Sequence, residues 1–177
     1  MSSALDETRH WLERAVIGLN LCPFAKAVHV KGQIRWVESA ATAAAPLLAE
    51  LVAELRLLAA ADPDEVETTL LVHPQVLGDF VDYNEFLDVA DAALQDLGLE
   101  GTLQIASFHP QYRFAGTRAA DMGNCTNRAP HPTLHLLREA SIARAVAAYP
   151  DPEAIYERNI ATLRQLGRAG WQRLLAG

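Results

Sequence analysis

The chain has 177 residues, half of them hydrophobic and 21% charged, with a formal net charge of −7 and a pI near 5.3. That length supports one well-buried core and is short for two domains. The acidic balance, with no run of five basic residues, argues against nonspecific binding to nucleic acid or anionic lipid, which requires a basic surface.

No stretch approaches 18 consecutive apolar residues, so no membrane span is expected. The opening residues MSSALDETRHWLERA are polar and helical, unlike a signal peptide. Two cysteines, Cys22 and Cys125, are too few for a disulfide framework and fit a reducing cytosol. The expectation is a soluble cytoplasmic domain.

Residues 4–20 read as an amphipathic helix, with Leu5, Trp11, Leu12, Ala15, Val16 and Leu19 near a 3.6 period. Pro23 ends it, and Cys22 falls at the bend. Residues 33–39 (QIRWVES) alternate as a strand. A helix rich in alanine and leucine follows from Thr42 to about Ala60, stopped by Asp62-Pro63-Asp64. Residues 67–74 (ETTLLVHP) are a short apolar run suited to a strand buried on both faces. The clearest helix runs from Asp79, its N-cap, to about Leu97, with Phe80, Tyr83, Leu87, Ala90, Leu94 and Leu97 on one face. On its other face Asp88 and Asp91 read as a solvated pair.

Residues 102–110 (TLQIASFHP) give a third strand. Pro132 then suits the first turn of a helix reaching about Tyr149, where Pro150 stops it. Asp151-Pro152-Glu153 starts a last helix as cap, first residue and dipole-matched acid. Gly167 and Gly170 leave its end open, with a terminal segment around Trp171 and Leu174.

Strands alternating with long helices imply parallel neighbours joined by crossovers. The expected fold is a single small α/β domain over 1–177, with a three- or four-stranded, mainly parallel sheet and about five helices. A ferredoxin-like α+β sandwich is the alternative, with a fourth strand hidden in 26–32 or in the long loop.

That loop lies within Ser107–Glu139 and spans about twenty residues without helical or strand periodicity. A structureless connection of that length in a compact domain is disordered or functional. Its Phe108, Tyr112, Phe114 and Met122 argue for order, because disordered segments are poor in aromatics. An ordered loop lining a polar pocket is expected.

Two strands end alike, in Val72-His73-Pro74-Gln75 and Phe108-His109-Pro110-Gln111. As neighbouring parallel strands they would bring both imidazoles to the carboxyl edge of the sheet, where open α/β folds bind ligands. Each histidine alone is more simply a strand-end anchor; the pair, beside a polar loop, points to acid/base or metal chemistry. His131 and His135, four apart at the expected helix start, have a weak zinc-like spacing. A candidate metal set is His73, His109, His135 and Asp121, with zinc as the example. Cys22 is the candidate nucleophile, although a buried inert thiol is its commoner fate; Cys125, in the loop, is expected to be the more exposed. Arg128, Asn127, Arg113 and Tyr112 are expected to hold a small anionic substrate, Arg128 foremost because a helix N-terminus is expected to follow it. Arg138 and Glu139 are expected to be scaffold.

The phrases GLNLCPFA (18–25), FHPQYRFAG (108–116) and TNRAPHPTLHLLREASI (126–142) resemble domain-of-unknown-function family 1415 across essentially the whole chain. The resemblance implies a bacterial, stand-alone, single-domain protein and transfers no activity or site residue. From the residues, the leading expectation is an enzyme, metal- or thiol-dependent, of hydrolase or transferase type, acting on a small anionic metabolite through His73, His109 and Cys22. The alternatives are a non-catalytic anion-binding module centred on Arg128, and a structural protein whose loop builds a homodimer surface.

Overall fold

A computed structural model describes residues 3–149 and 151–177. Ser3 opens the first helix with a reciprocal capping box to Asp6. Helix α1 (Ala4–Trp11) widens into a π-helical segment, Leu12–Ile17, and a short α2 (Ala25–Val30) follows the Pro23 bend. Strand β1 (Ile34–Glu38) leads through α3 (Ala44–Ala60) to β2 (Thr68–Val72), then through α4 (Phe80–Asp96) to β3 (Leu103–Phe108). Asp79 caps α4 as expected: its Oδ1 accepts from the Val81 and Asp82 amides at 2.8 and 3.2 Å.

The chain departs from expectation after the long loop. Residues Thr133–Arg138 form β4, and α5 (Glu139–Ala148) begins only then. The segment 26–32, offered as a hidden strand, is largely α2. The expected stop at Pro150 lies outside the described residues. Asp151 caps α6 (Pro152–Ala176), its Oδ1 accepting from the Ala154 amide at 3.1 Å; the helix bends sharply at Gly167, φ 69° and ψ 172°.

The sheet order is β1-β2-β4-β3. β1 and β2 are parallel, while β4 runs antiparallel to both β2 and β3. The α/β class and the four strands are as expected. The sheet is mixed, however, and not mainly parallel, because β4 slots between two strands that had been expected to pair. Both crossovers step in the same direction along the sheet, so crossovers of one hand place α3 and α4 on the same face. There Leu47, Leu51, Leu55 and Leu58 pack with Tyr83, Phe86, Ala90 and Leu94 onto Leu71, Leu103, Leu134 and Leu136. The opposite face is covered by Trp11, Leu12, Ala15 and Val16 with Leu163 and Trp171 of α6, against Ile34, Trp36 and Phe108. Helices on both faces replace the ferredoxin-like alternative with a three-layer α/β/α sandwich. No helix among the described residues is long and apolar enough to cross a membrane.

Candidate functional site

His73 and His109 do sit at the carboxyl edge, one residue beyond β2 and β3. Each closes a ladder end through its backbone: the His73 amide donates to Pro132 O at 2.9 Å and the His109 amide to Asn127 O at 3.0 Å. They are not on neighbouring strands. With β4 between, the two strands lie about 10 Å apart, twice the single spacing. Tyr83 of α4 fills the interval. Its ring centroid is 5.8 Å from His73 and 4.9 Å from His109, and Phe80 stands 5.3 Å from His109. The Tyr83 hydroxyl donates to Thr133 O at 2.8 Å and accepts from the Phe108 amide at 3.1 Å, tying α4 to β4 and β3.

Both imidazoles are fully buried, and the hydrogen bonds assign their tautomers. His109 Nδ1 accepts from the Gln111 amide at 3.0 Å, so its proton is on Nε2, which donates to Leu77 O at 3.1 Å. His73 donates from Nδ1 to Val76 O at 3.0 Å, which leaves Nε2 a bare acceptor with no partner among the described residues. Burial lowers the pKa of both; His73 is pushed down to about 4. The two rings thus pin segment 74–79, including Leu77 at φ 59°, to the strand ends. That is the anchoring role weighed for each histidine alone.

The other members of the candidate metal set lie elsewhere. His135 projects from the opposite face of β4, its ring 6.0 Å from that of Phe108. Its Nε2 proton goes to Thr68 Oγ1 at 2.8 Å, since Thr68 spends its own on Leu136 O at 2.6 Å. Burial pushes its pKa down to about 4. His131 and His135 share no helical face, because the segment is a strand; His131 Nε2 instead meets Glu7 of α1 at 2.6 Å. Asp121 caps a 3-10 helix (Met122–Asn127), accepting from the Gly123 amide at 3.0 Å. No group of three metal-ligating side chains occurs among the described residues.

The cysteine expected to be the more exposed, Cys125, is the buried one. Cys22 is exposed at its bend, beside Leu21, whose carbonyl α6 holds through Asn159 at 2.8 Å; this is the sheet face away from His73. Cys125 is only 3% exposed, and burial raises its thiol pKa against the pull of the neighbouring Arg128 guanidinium.

The 109–131 loop is ordered, as its aromatics suggested, but its arginines bind carbonyl oxygens more than carboxylates. Arg128 donates from Nε to Tyr112 O at 3.0 Å and from Nη2 to Ala119 O at 2.7 Å. Arg113 donates to Thr117 O at 2.6 Å. Asn124, fully buried, accepts from the Phe114 amide and Thr117 hydroxyl and donates to Arg118 O. Asn127 reaches Ser107 O at 3.0 Å. Tyr112 packs between Phe80 and Phe114, at 5.3 and 4.9 Å. Arg138 is scaffold as expected, donating to Ala61 O and Val66 O.

Where this loop meets the last two turns of α6 there is a cleft of about 450 Å³. Pro110, Met122, Ala129, Pro130, Trp171 and Leu175 make its walls apolar, and Cys125 lies at its base. Two guanidiniums border it, Arg128 and Arg168, with the Gln172 amide beside them. Among the described residues neither arginine has a carboxylate within 4 Å; the nearby Asp121 pairs at 3.8 Å with Arg164. Arg128 is among the residues expected from sequence to hold an anion; Arg168, Trp171 and Gln172 are not. Their only signal was Arg168 and Gln172 four apart around a tryptophan, on a helix whose end two glycines obscured.

Fold and cleft together define a small α/β/α sandwich domain with a ligand-sized, arginine-edged cleft. The family model described as "Protein of unknown function (DUF1415)" matches residues 3–173, and the chain belongs to that family. No curated protein and no solved structure matches it.

Proposed function

We propose that this domain binds a small organic anion with an apolar body in the cleft between the 109–131 loop and α6. Arg128 and Arg168 hold the charge, and Trp171 and the proline and leucine walls take the body. One observation carries this reading: two guanidiniums without carboxylate partners border one apolar cleft in a chain of net charge −7. Two guanidiniums that border one cleft repel each other, and an anionic ligand placed between them offsets that repulsion. Arg128 is already fixed by two carbonyls, so little conformational entropy remains to be lost on binding.

Thermal unfolding with octanoate or phenyl phosphate tests the reading against neutral benzamide. At a hundredfold excess over Kd the anions raise Tm by about 5–10 °C, and benzamide does not. Arg168→Ala abolishes the rise, Arg168→Lys keeps part of it, and His73→Asn keeps all of it. Stabilisation equal for neutral and anionic compounds, or intact in Arg168→Ala, rules the reading out.

A second reading adds turnover of a small anion at the histidine edge, with His73 as acid or base. It draws on the bare, buried Nε2 of His73 and requires segment 74–79 to lift. His73→Asn preserves the donor to Val76 O and removes Nε2; an activity indifferent to it eliminates this reading.

A further inference from the structure

The arginine-edged cleft offers more positive charge and more donors than a carboxylate can use. A guanidinium carries five N–H groups. Arg128 commits two of them, to Tyr112 O and Ala119 O, which fixes its plane and leaves three beside the Cys125 thiol. Arg168 and the Gln172 amide, both exposed at the rim, donate to no protein acceptor among the described residues. No carboxylate lines the cleft among those residues. A carboxylate ligand brings one charge and two oxygens with about four lone pairs, so one guanidinium stays unmatched. A phosphate monoester brings about −1.5 to −2 charges at pH 7 and three strong acceptor oxygens. It matches both cations and leaves an oxygen for the Gln172 amide.

Two carboxylates lie close enough to oppose the second charge, and each has a partner. Asp121 is 3.8 Å from Arg164. Glu7 lies across the Pro130–Leu175 wall in a neighbouring hollow, 2.6 Å from His131. His10 lines that hollow too and adds positive charge when protonated. No other acid lines either hollow among the described residues, and salt screens charges beyond roughly 8 Å. Two guanidiniums at contact therefore outweigh the overall charge of −7.

Resting on the anion reading above, we infer that the ligand of this cleft is a small phosphate monoester bound as its dianion, in preference to a carboxylate or a phosphate diester. The head lies between Arg128 and Arg168 with one oxygen toward Gln172, and the apolar walls take the organic group. A volume of about 450 Å³ suits one small molecule.

Calorimetric titration of phenyl phosphate, methyl phenyl phosphate and benzoate into the full chain, at pH 7.5 and at pH 5.5, tests this. All three carry the same ring. At pH 7.5 the monoester binds roughly tenfold tighter than benzoate, about the effect of one added charge-assisted hydrogen bond; the diester, a mono-anion, binds like benzoate. At pH 5.5 the monoester is mostly a mono-anion, its second pKa being about 6, so its lead over benzoate falls roughly threefold. Benzoate is ionised at both values and reads any change arising in the protein, from His10 or His131 included. Gln172→Glu, at an exposed position, sets a negative charge at the rim and costs the monoester more affinity than it costs benzoate. Equal affinities for phenyl phosphate and benzoate at pH 7.5, a diester as tight as the monoester, or a lead that does not change with pH overturns the inference and leaves the anion reading standing. No binding by any of the three removes both.

Discussion

At His73 the two ring nitrogens meet different fates, and the difference has a thermodynamic signature. Nδ1–H is spent on Val76 O while Nε2 stays bare in a fully buried setting, so adding a proton there is unfavourable. The folded pKa is pushed down to about 4, against about 6.5 in the unfolded chain. Between those values the unfolded chain holds the proton and the folded one does not. The stabilisation is therefore complete above pH 6.5 and is lost as pH falls from there through about 4, a change on the order of 3 kcal/mol. Urea unfolding of His73→Asn, which keeps the donor to Val76, should show a shallower loss of stability over this window than wild type. An equal slope would mean that the ring is hydrated. Asn124 makes a second residue-level case. Removing its three hydrogen bonds with Asn124→Ala should cost on the order of 2–3 kcal/mol and open the Phe114–Arg118 stretch to limited proteolysis.

Among the elements, α4 was legible because each signal agreed: an Asp cap, a 3.6 period and a wet acidic face. β4 was not. Its TLHLLR alternates Leu134 and Leu136 against Thr133, His135 and Leu137, but both faces are covered, so the pattern reads equally as the leucine face of a helix opened by Pro132. That one misreading also concealed that His73 and His109 are separated by a strand, although their shared edge was read correctly. Arg128 was found as a loop cation; that its partners are the Tyr112 and Ala119 carbonyls depends on loop geometry that spacing alone does not encode. The bend in α6 matters to the cleft directly. Gly167 adopts φ 69°, ψ 172°, a region essentially reserved for glycine, just before Arg168. Gly167→Ala should cost about 1–3 kcal/mol and, by shifting Arg168, Trp171 and Gln172, weaken octanoate binding beyond any loss explained by unfolding. Calorimetry well below Tm separates the two effects.

For the molecule as a whole, charge and architecture point the same way. The sheet carries a helical layer on each face, and the last helix closes the second layer while leaving a slot against the 109–131 loop. Overall charge is negative, yet the slot presents two cations, so the ligand's charge is recognised at short range against an unfavourable long-range field. Salt should then act in two opposed senses: it screens the net repulsion of an anion from the −7 chain and weakens the contact with the half-buried Arg128 and the exposed Arg168. The contact is the closer pair, so octanoate affinity should fall a few-fold between low salt and about 0.5 M NaCl.

The most direct test is to locate an anion. A crystal structure with 4-bromobenzoate, its bromine placed by anomalous scattering, is predicted to show the ring against Trp171 and the carboxylate about 3 Å from the Arg128 and Arg168 guanidiniums. Bromine found beside His73 and His109, or no ordered site in the cleft, would contradict it.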